Sequence, residues 1–142
     1  MSISSDIQSL FGCVTSDRQS QNNVVPVYLE EKYKLIGVIE NIREKDECDL
    51  YEIAGLLNCI VNSDEEEVRE TALRVICEKS NNQEVKKIAM IVSSFDKDDD
   101  VITTMLEEAN DFDLTFAKEM ASRFADHPDI SVSTYANGIL KR

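Results

Sequence analysis

The sequence predicts an all-α fold: a short α-solenoid of about three helix pairs behind an N-terminal helical cap, with no β-sheet. Three observations carry this. Apolar residues return at i, i+3, i+4 and i+7 in segment after segment, the spacing of one helix face. No stretch alternates apolar and polar residues with period two over a useful length. Val68, Val101 and Val132 each begin the second helix of a pair, at separations of 33 and 31 residues. A recurrence of about 30–40 residues with two helices per unit marks stacked helical hairpins.

The clearest helix follows Ser63, where Val68, Ala72, Val75 and Ile76 form one stripe. Ser63 and Glu66 have capping-box spacing, and Glu65, Glu66 and Glu67 favour the positive end of the helix dipole. Lys79 supplies the opposite sign at the far end.

Taken in order, residues 3–14 form a short amphipathic helix with Ile3, Ile7, Leu10, Phe11 and Val14 on one stripe. Ser16 to Asn23 is polar and aperiodic, a linker or mobile loop, so the first helix either docks on the body or swings free. Pro26 suits the first turn of the next helix. That helix runs to about Lys45 with Leu35, Val38, Ile39 and Ile42 inward, and Gly37 within it points to a close helix crossing. Asp49 and Glu52 open a helix carrying Ile53, Leu56, Leu57, Ile60 and Val61. Asn81 and Asn82 precede one carrying Val85, Ile88, Ala89 and Val92. Asp98, Asp99 and Asp100 cap a helix with Val101, Ile102, Met105 and Ala109. Asp113 caps one with Phe116, Ala117, Met120 and Phe124. His127-Pro128-Asp129 turns into the last, with Val132, Tyr135, Ala136, Ile139 and Leu140. Residues 1–25 thus make a helix plus linker, and residues 26–142 a single helical-repeat domain.

Ser63-Asp64 through Val68-Arg69 to Ala72 and Ile76 resembles the second helix of a HEAT repeat, with its acidic turn, valine-arginine pair and spaced alanine. Asp129 to Leu140 is a fainter copy with serine in place of arginine, and Thr104-Met105 replaces the alanine region in the middle one. Ala54 and Ala89, 35 residues apart, recur in the first helices. The resemblance to the HEAT and armadillo class covers residues 49–140 and implies pairs that bury their apolar faces against one another. The upstream helices then cap one end, and the last helix, closing on Lys141-Arg142, caps the other. An irregular bundle of the same helices is the alternative architecture.

A formal charge of −13 and a pI near 4.4 set long-range repulsion against nucleic acids and anionic membranes. The acid is concentrated in the body: residues 1–46 hold seven acids and five bases, residues 47–142 twenty-one and ten. Much of it solvates and caps helices. No apolar run reaches the length of a membrane span, and the first fifteen residues lack the basic region of a secretory signal. Cys13, Cys48, Cys59 and Cys77 contain no C-x-x-C pair, which suits reduced thiols in a cytoplasmic protein.

Chemistry finds little footing. Asp96, Asp98, Asp100 and Glu107 occupy positions 1, 3, 5 and 12 of a calcium loop, but Val101 stands where the turn needs glycine. Helix capping is the better account. With His127 as the only histidine, a zinc or two-histidine site cannot be assembled, and a cysteine–histidine hydrolase needs a cysteine beside it in space. Four glycines form no phosphate loop or dinucleotide fingerprint. The expectation is therefore a protein without catalysis, metal or cofactor.

What remains is a surface. Stacked second helices would line one face with Glu66, Glu67, Glu70 and Arg74, then Asp99, Thr103, Glu107 and Glu108, then Asn137 and Lys141. Glu66, Glu67, Glu70, Asp99, Thr103, Glu107 and Glu108 are the expected partner-binding residues, and their field favours a basic protein partner. Small acidic inhibitors such as immunity proteins or antitoxins have this size and charge. The rival expectation is a scaffold or adaptor subunit that docks on a larger assembly through its N-terminal helix.

Overall fold

Helices account for the structure, a computed structural model that describes residues 4–12 and 27–142, with side chains from residue 31 in the second stretch. Among the described residues eight α-helices follow in order: α1 Ser5–Leu10, α2 Val27–Arg43, α3 Leu50–Asn62, α4 Glu66–Lys79, α5 Gln83–Ser93, α6 Asp99–Phe112, α7 Leu114–Ser122 and α8 Ile130–Leu140. No strand occurs among the described residues. Ile3, Cys13, Val14, the Ser16–Asn23 linker, Pro26 and the 25/26 domain boundary lie outside them.

Side chains set most of the helix starts. Asp49 and Glu52 form a reciprocal capping box at α3, with Asp49 Oδ1 accepting from the Glu52 amide at 2.8 Å. Asn82 Oδ1 accepts from the Glu84 and Val85 amides, Asp113 Oδ2 from Phe116 and Asp129 Oδ1 from Val132. The expected Ser63–Glu66 box does not form. Ser63 ends α3 instead, and its hydroxyl accepts from the Glu65 amide, so α4 starts at Glu66 without a side-chain cap.

α1 lies on α2 and α3, α3 on α4 and α5, α5 on α4 and α6, and α7 on α6 and α8, while α2, α4, α6 and α8 also touch one another in that order. One continuous buried cluster results, from Leu10 of α1 to Ile139 of α8, and the anchors Val68, Val101 and Val132 are fully enclosed in their helices. Leu35, Val38, Ile39 and Ile42 of α2 are buried as expected. Three residues read on apolar stripes are exposed instead, Phe11 by 43%, Val61 by 61% and Ile88 by 52%, with Met90 taking the inward position on α5. Of the two recurring alanines, Ala54 is exposed and Ala89 buried.

α1 is docked. Leu10 is wholly buried, and its carbonyl accepts from Asn58 Nδ2 of α3 at 2.9 Å. The close crossing occurs here and not at Gly37. A Cβ on Gly55 would stand 2.8 Å from Leu10 Cδ1 and 2.9 Å from Leu10 Cβ, whereas one on Gly37 would meet nothing within 4 Å. Alanine at the two glycines should therefore act in opposite directions. Gly37→Ala is expected to raise stability by about 0.5–1 kcal/mol through helix propensity. Gly55→Ala should lower it by about 1–3 kcal/mol by overpacking. Urea midpoints of the two variants decide this, and hydrogen exchange should report loss of α1 protection only in Gly55→Ala.

Arg69 holds the middle of the molecule. Its side chain is 5% exposed, Nε and Nη2 donate to the two oxygens of Asp96 at 2.8 and 3.1 Å, and Nη2 also donates to Asp98 Oδ2. Nη1 donates to the Ser63 carbonyl at 2.9 Å. One guanidinium thus ties the α3–α4 turn to the α5–α6 turn. Asp98 precedes α6 but accepts no helix amide, so this aspartate, read as a cap, serves as a counter-ion of Arg69. Burial disfavours the charge on Arg69, and the two carboxylates more than offset it, holding its pKa above the ordinary value. Removing the arginine strands Asp96, whose side chain is 7% exposed. Arg69→Met should cost about 3–5 kcal/mol in urea unfolding, and adding Asp96→Asn should return a substantial part. Additive losses would contradict the coupling.

Candidate functional site

The acidic face is built by α4 and α6 lying side by side, and their side chains interlock. Arg74 of α4 reaches across to α6, with Nη2 3.1 Å from Glu107 Oε1 and Nη1 3.2 Å from Glu108 Oε2. Glu70 lies 3.8 Å from the same guanidinium and accepts from the Thr104 hydroxyl at 2.8 Å. Three carboxylates therefore share one arginine. Half-burial pushes the Glu108 carboxyl up, with Arg74 pulling it back down.

One turn nearer the helix starts, Glu66 of α4 shares a hydrogen bond with Asp100 of α6. The bond needs a proton, and together with partial burial and the negative charge of Asp100, Asp98 and Glu70 it lifts the Glu66 carboxyl to about 7. Crowded acid here retains a proton near neutrality.

Of the seven residues expected to bind a partner, Glu66, Glu70, Glu107 and Glu108 come together on this α4–α6 seam. Glu67 turns the other way, to Lys32 Nζ of α2 at 3.2 Å. Asp99 lies 3.6 Å from His127 Nε2 in the α7–α8 turn. Thr103 donates to the carbonyl of Asp99 within its own helix. Asn137 donates to the Ala125 and Ser133 carbonyls, so it braces the α7–α8 turn, while Lys141 is exposed. Tyr135 is partly buried against the core, as its place on the apolar stripe predicts. Two contributors were not legible in any single segment of the sequence. Asp98 and Asp100 were read as caps, and α2 was not placed beside α4, where Arg43 Nε pairs with Glu78 at 2.7 Å. A signal for Asp100 existed: it lies 34 residues from Glu66, close to the 33-residue offset of the valine anchors, whereas Asp98 lies 29 from Arg69.

The thiols sit where burial raises them. Cys48 is pushed up to about 11 and Cys77 to about 12, chiefly by desolvation. Cys59 is buried, with Sγ 3.5 Å from the Leu10 carbonyl. Cys48 and Cys77 are free cysteines. His127 spends Nδ1 on the Asp129 amide at 3.1 Å and faces Asp99 with Nε2. Asp96, Asp98 and Asp100 are turned to Arg69 and Glu66, and Val101 is buried within α6, so the calcium-loop spacing carries no loop. Among the described residues no helix is long and apolar enough to cross a membrane.

Compared with family models, curated proteins and solved structures, the chain matches none.

The proton on Glu66 has a thermodynamic consequence. Unfolded, this carboxyl titrates near 4.5; folded, near 7, so the folded chain binds more protons between those values. The Glu66 contribution is fully present below about pH 4.5 and is lost as pH rises through about 7. Glu66→Gln should therefore gain stability relative to the parent between about pH 5 and 8, read as the difference in urea midpoints. An unchanged difference across that range would show that the pair does not hold a proton.

Proposed function

We propose that this chain is a non-enzymatic, protein-binding module of HEAT-like stacked hairpins. Its α4–α6 face holds a basic protein partner, in the manner of a small inhibitor, immunity protein or antitoxin. The observation that supports this best is the distribution of charge on the seam. α6 carries Asp99, Asp100, Glu107, Glu108 and Asp111 with no base of its own, and Arg74 is one cation among Glu70, Glu107 and Glu108. A net negative surface on rigid, interlocked helices attracts a cationic partner over distance and loses little side-chain freedom when it binds. A lysine or arginine arriving at Glu66 and Asp100 replaces their shared proton, so binding tightens as pH rises through about 7.

The rival adaptor reading requires the apolar side of the N-terminal helix to be available for another protein. In α1, Leu10 is spent on Gly55 and Asn58, which supports the inhibitor reading over it.

Capture from extract of the native cell, at low and then high salt, tests the proposal. A basic protein is expected to be retained at low salt and released as salt screens the seam. The triple variant Glu70→Gln, Glu107→Gln, Glu108→Gln should weaken retention by at least about tenfold while keeping the helices. Failure to retain any basic protein at low salt would overturn the proposal.

A further inference from the structure

α1 is the shortest helix among the described residues and buries the least. Its six residues, Ser5–Leu10, are too few to hold a helix by themselves, so its structure depends on where it is seated. Only Leu10 is wholly buried, and Ile7 is partly so.

The seat is more specific than so small an occupant requires. On α3, Gly55 leaves the hole that receives the Leu10 side chain, where a Cβ would stand 2.8 Å from Leu10 Cδ1. Asn62 Nδ2 donates to Asn58 Oδ1 at 2.7 Å, which turns the Asn58 amide so that its Nδ2 donates to the Leu10 carbonyl at 2.9 Å. Cys59 Sγ lies 3.5 Å from the same carbonyl. The last carbonyls of any helix lack partners within it. A leucine hole beside an oriented carbonyl donor is therefore a receptor for the closing turn of a helix.

α1 does not fill this seat. A cavity of about 330 Å³ runs between α1, α2 and α3, and Ile7, Val38, Ile42 and Tyr51 line its apolar side. On its polar side Lys45 pairs with Glu52 at 2.7 Å and Asp49 caps α3, so shape and not charge selects what enters. A helix with a larger apolar side chain in the place of Ile7 would bury there the surface that α1 leaves in water.

We propose that α1 is a displaceable occupant of a helix-binding seat on α3, and that the seat takes a longer amphipathic helix of another protein. That helix carries leucine in the place of Leu10 and phenylalanine or methionine three residues before it, and it extends on its N-terminal side. A second copy of this chain offers only the same Ile7 and Leu10, so exchange between copies gains no contact that the chain's own α1 lacks. The seat lies apart from the α4–α6 seam, and its occupation is independent of whatever binds there.

The test uses the full chain and a synthetic helical peptide of about fifteen residues ending in Phe-x-x-Leu. In amide chemical-shift titrations the peptide should move the signals of Gly55 and Asn58, and α1 should lose its exchange protection as it leaves. Leu10→Ser weakens the competitor and keeps the seat, so it should raise the peptide's affinity by at least about tenfold. Gly55→Ala fills the hole and should abolish binding. Exchange protection of α4 and α6 reports folding in both variants. In the unsubstituted chain the α1 amides should exchange through an opening that leaves α4 protected. The proposal is overturned if the peptide does not bind, if it binds while α1 stays protected, or if α1 exchanges only when α4 unfolds. It is overturned equally if Leu10→Ser, with α4 protected, fails to raise the affinity. A peptide of residues 1–12 that binds as tightly as the Phe-x-x-Leu peptide would assign the seat to exchange between copies and overturn it too.

Discussion

The buried pairing of Arg69 with Asp96 and Asp98 is the constraint on which the rest of the arrangement depends. A guanidinium taken out of water must find its counter-charge within a few ångströms, in a geometry that uses its planar fork. Here that requirement is met only if the turn before α4 and the turn before α6 lie together, since the same side chain also binds the Ser63 carbonyl. Apolar contacts between helices tolerate sliding by fractions of a turn, whereas a bidentate pair does not. The ion pair thus sets the register of α4 against α6, and hydrophobic burial supplies the attraction that the register organises.

That register brings the acids together. With the turns clamped, Glu66 falls opposite Asp100, and Glu70 and Arg74 fall opposite Thr104, Glu107 and Glu108. Charge repulsion along this seam opposes the packing, and the molecule relieves it by two local means. Arg74 sits among three carboxylates, and Glu66 keeps a proton. Neither neutralises the face, because α6 itself has no base. The residual field is a property of the interlocked pair of helices, more than of any single side chain.

Helix existence and order were legible because the 3.6-residue period is strong and every inward stripe of α2, α6 and α7 was read correctly. The valine anchors were legible as a recurrence, and all three are buried. Local polar chemistry was harder to read, since one side chain can satisfy several demands. Asp98 has the right spacing for a cap, yet an arginine 29 residues away claims it. Ser63 has capping-box spacing, yet it closes the helix before. Gly37 and Gly55 look alike in sequence, and only the docking of Leu10 distinguishes them. On α5, Ile88 and Met90 compete for the core by periodicity alone. Met90 wins because the helix is rotated to leave Ile88, Ile91 and Phe95 outside, a choice made by neighbours and not by the segment. Of the seven residues assigned to the acidic face, the four on the seam were recoverable from the repeat offset. Glu67 and Asp99 were not, since each answers to a base on a third element.

Contacts between helices account for the uneven distribution of charge over the molecule. In the row α2, α4, α6 and α8, the helices α4 and α6 are flanked on both sides, so their outward residues face neighbours 30-odd residues away and can pair with them. Acid on that row is partly compensated, with Lys32, Arg43, Arg69 and Arg74 in ion pairs. The first helices are less closely joined, α5 meeting α7 mainly through Lys87 on Phe116 and Arg123 on Phe95. Cations on that row rest on aromatic faces, which stabilise them without cancelling their charge. Apolar side chains thus gather outside α5 while carboxylates and their counter-ions interlock along α4 and α6, although net charge alone would suggest a uniform surface.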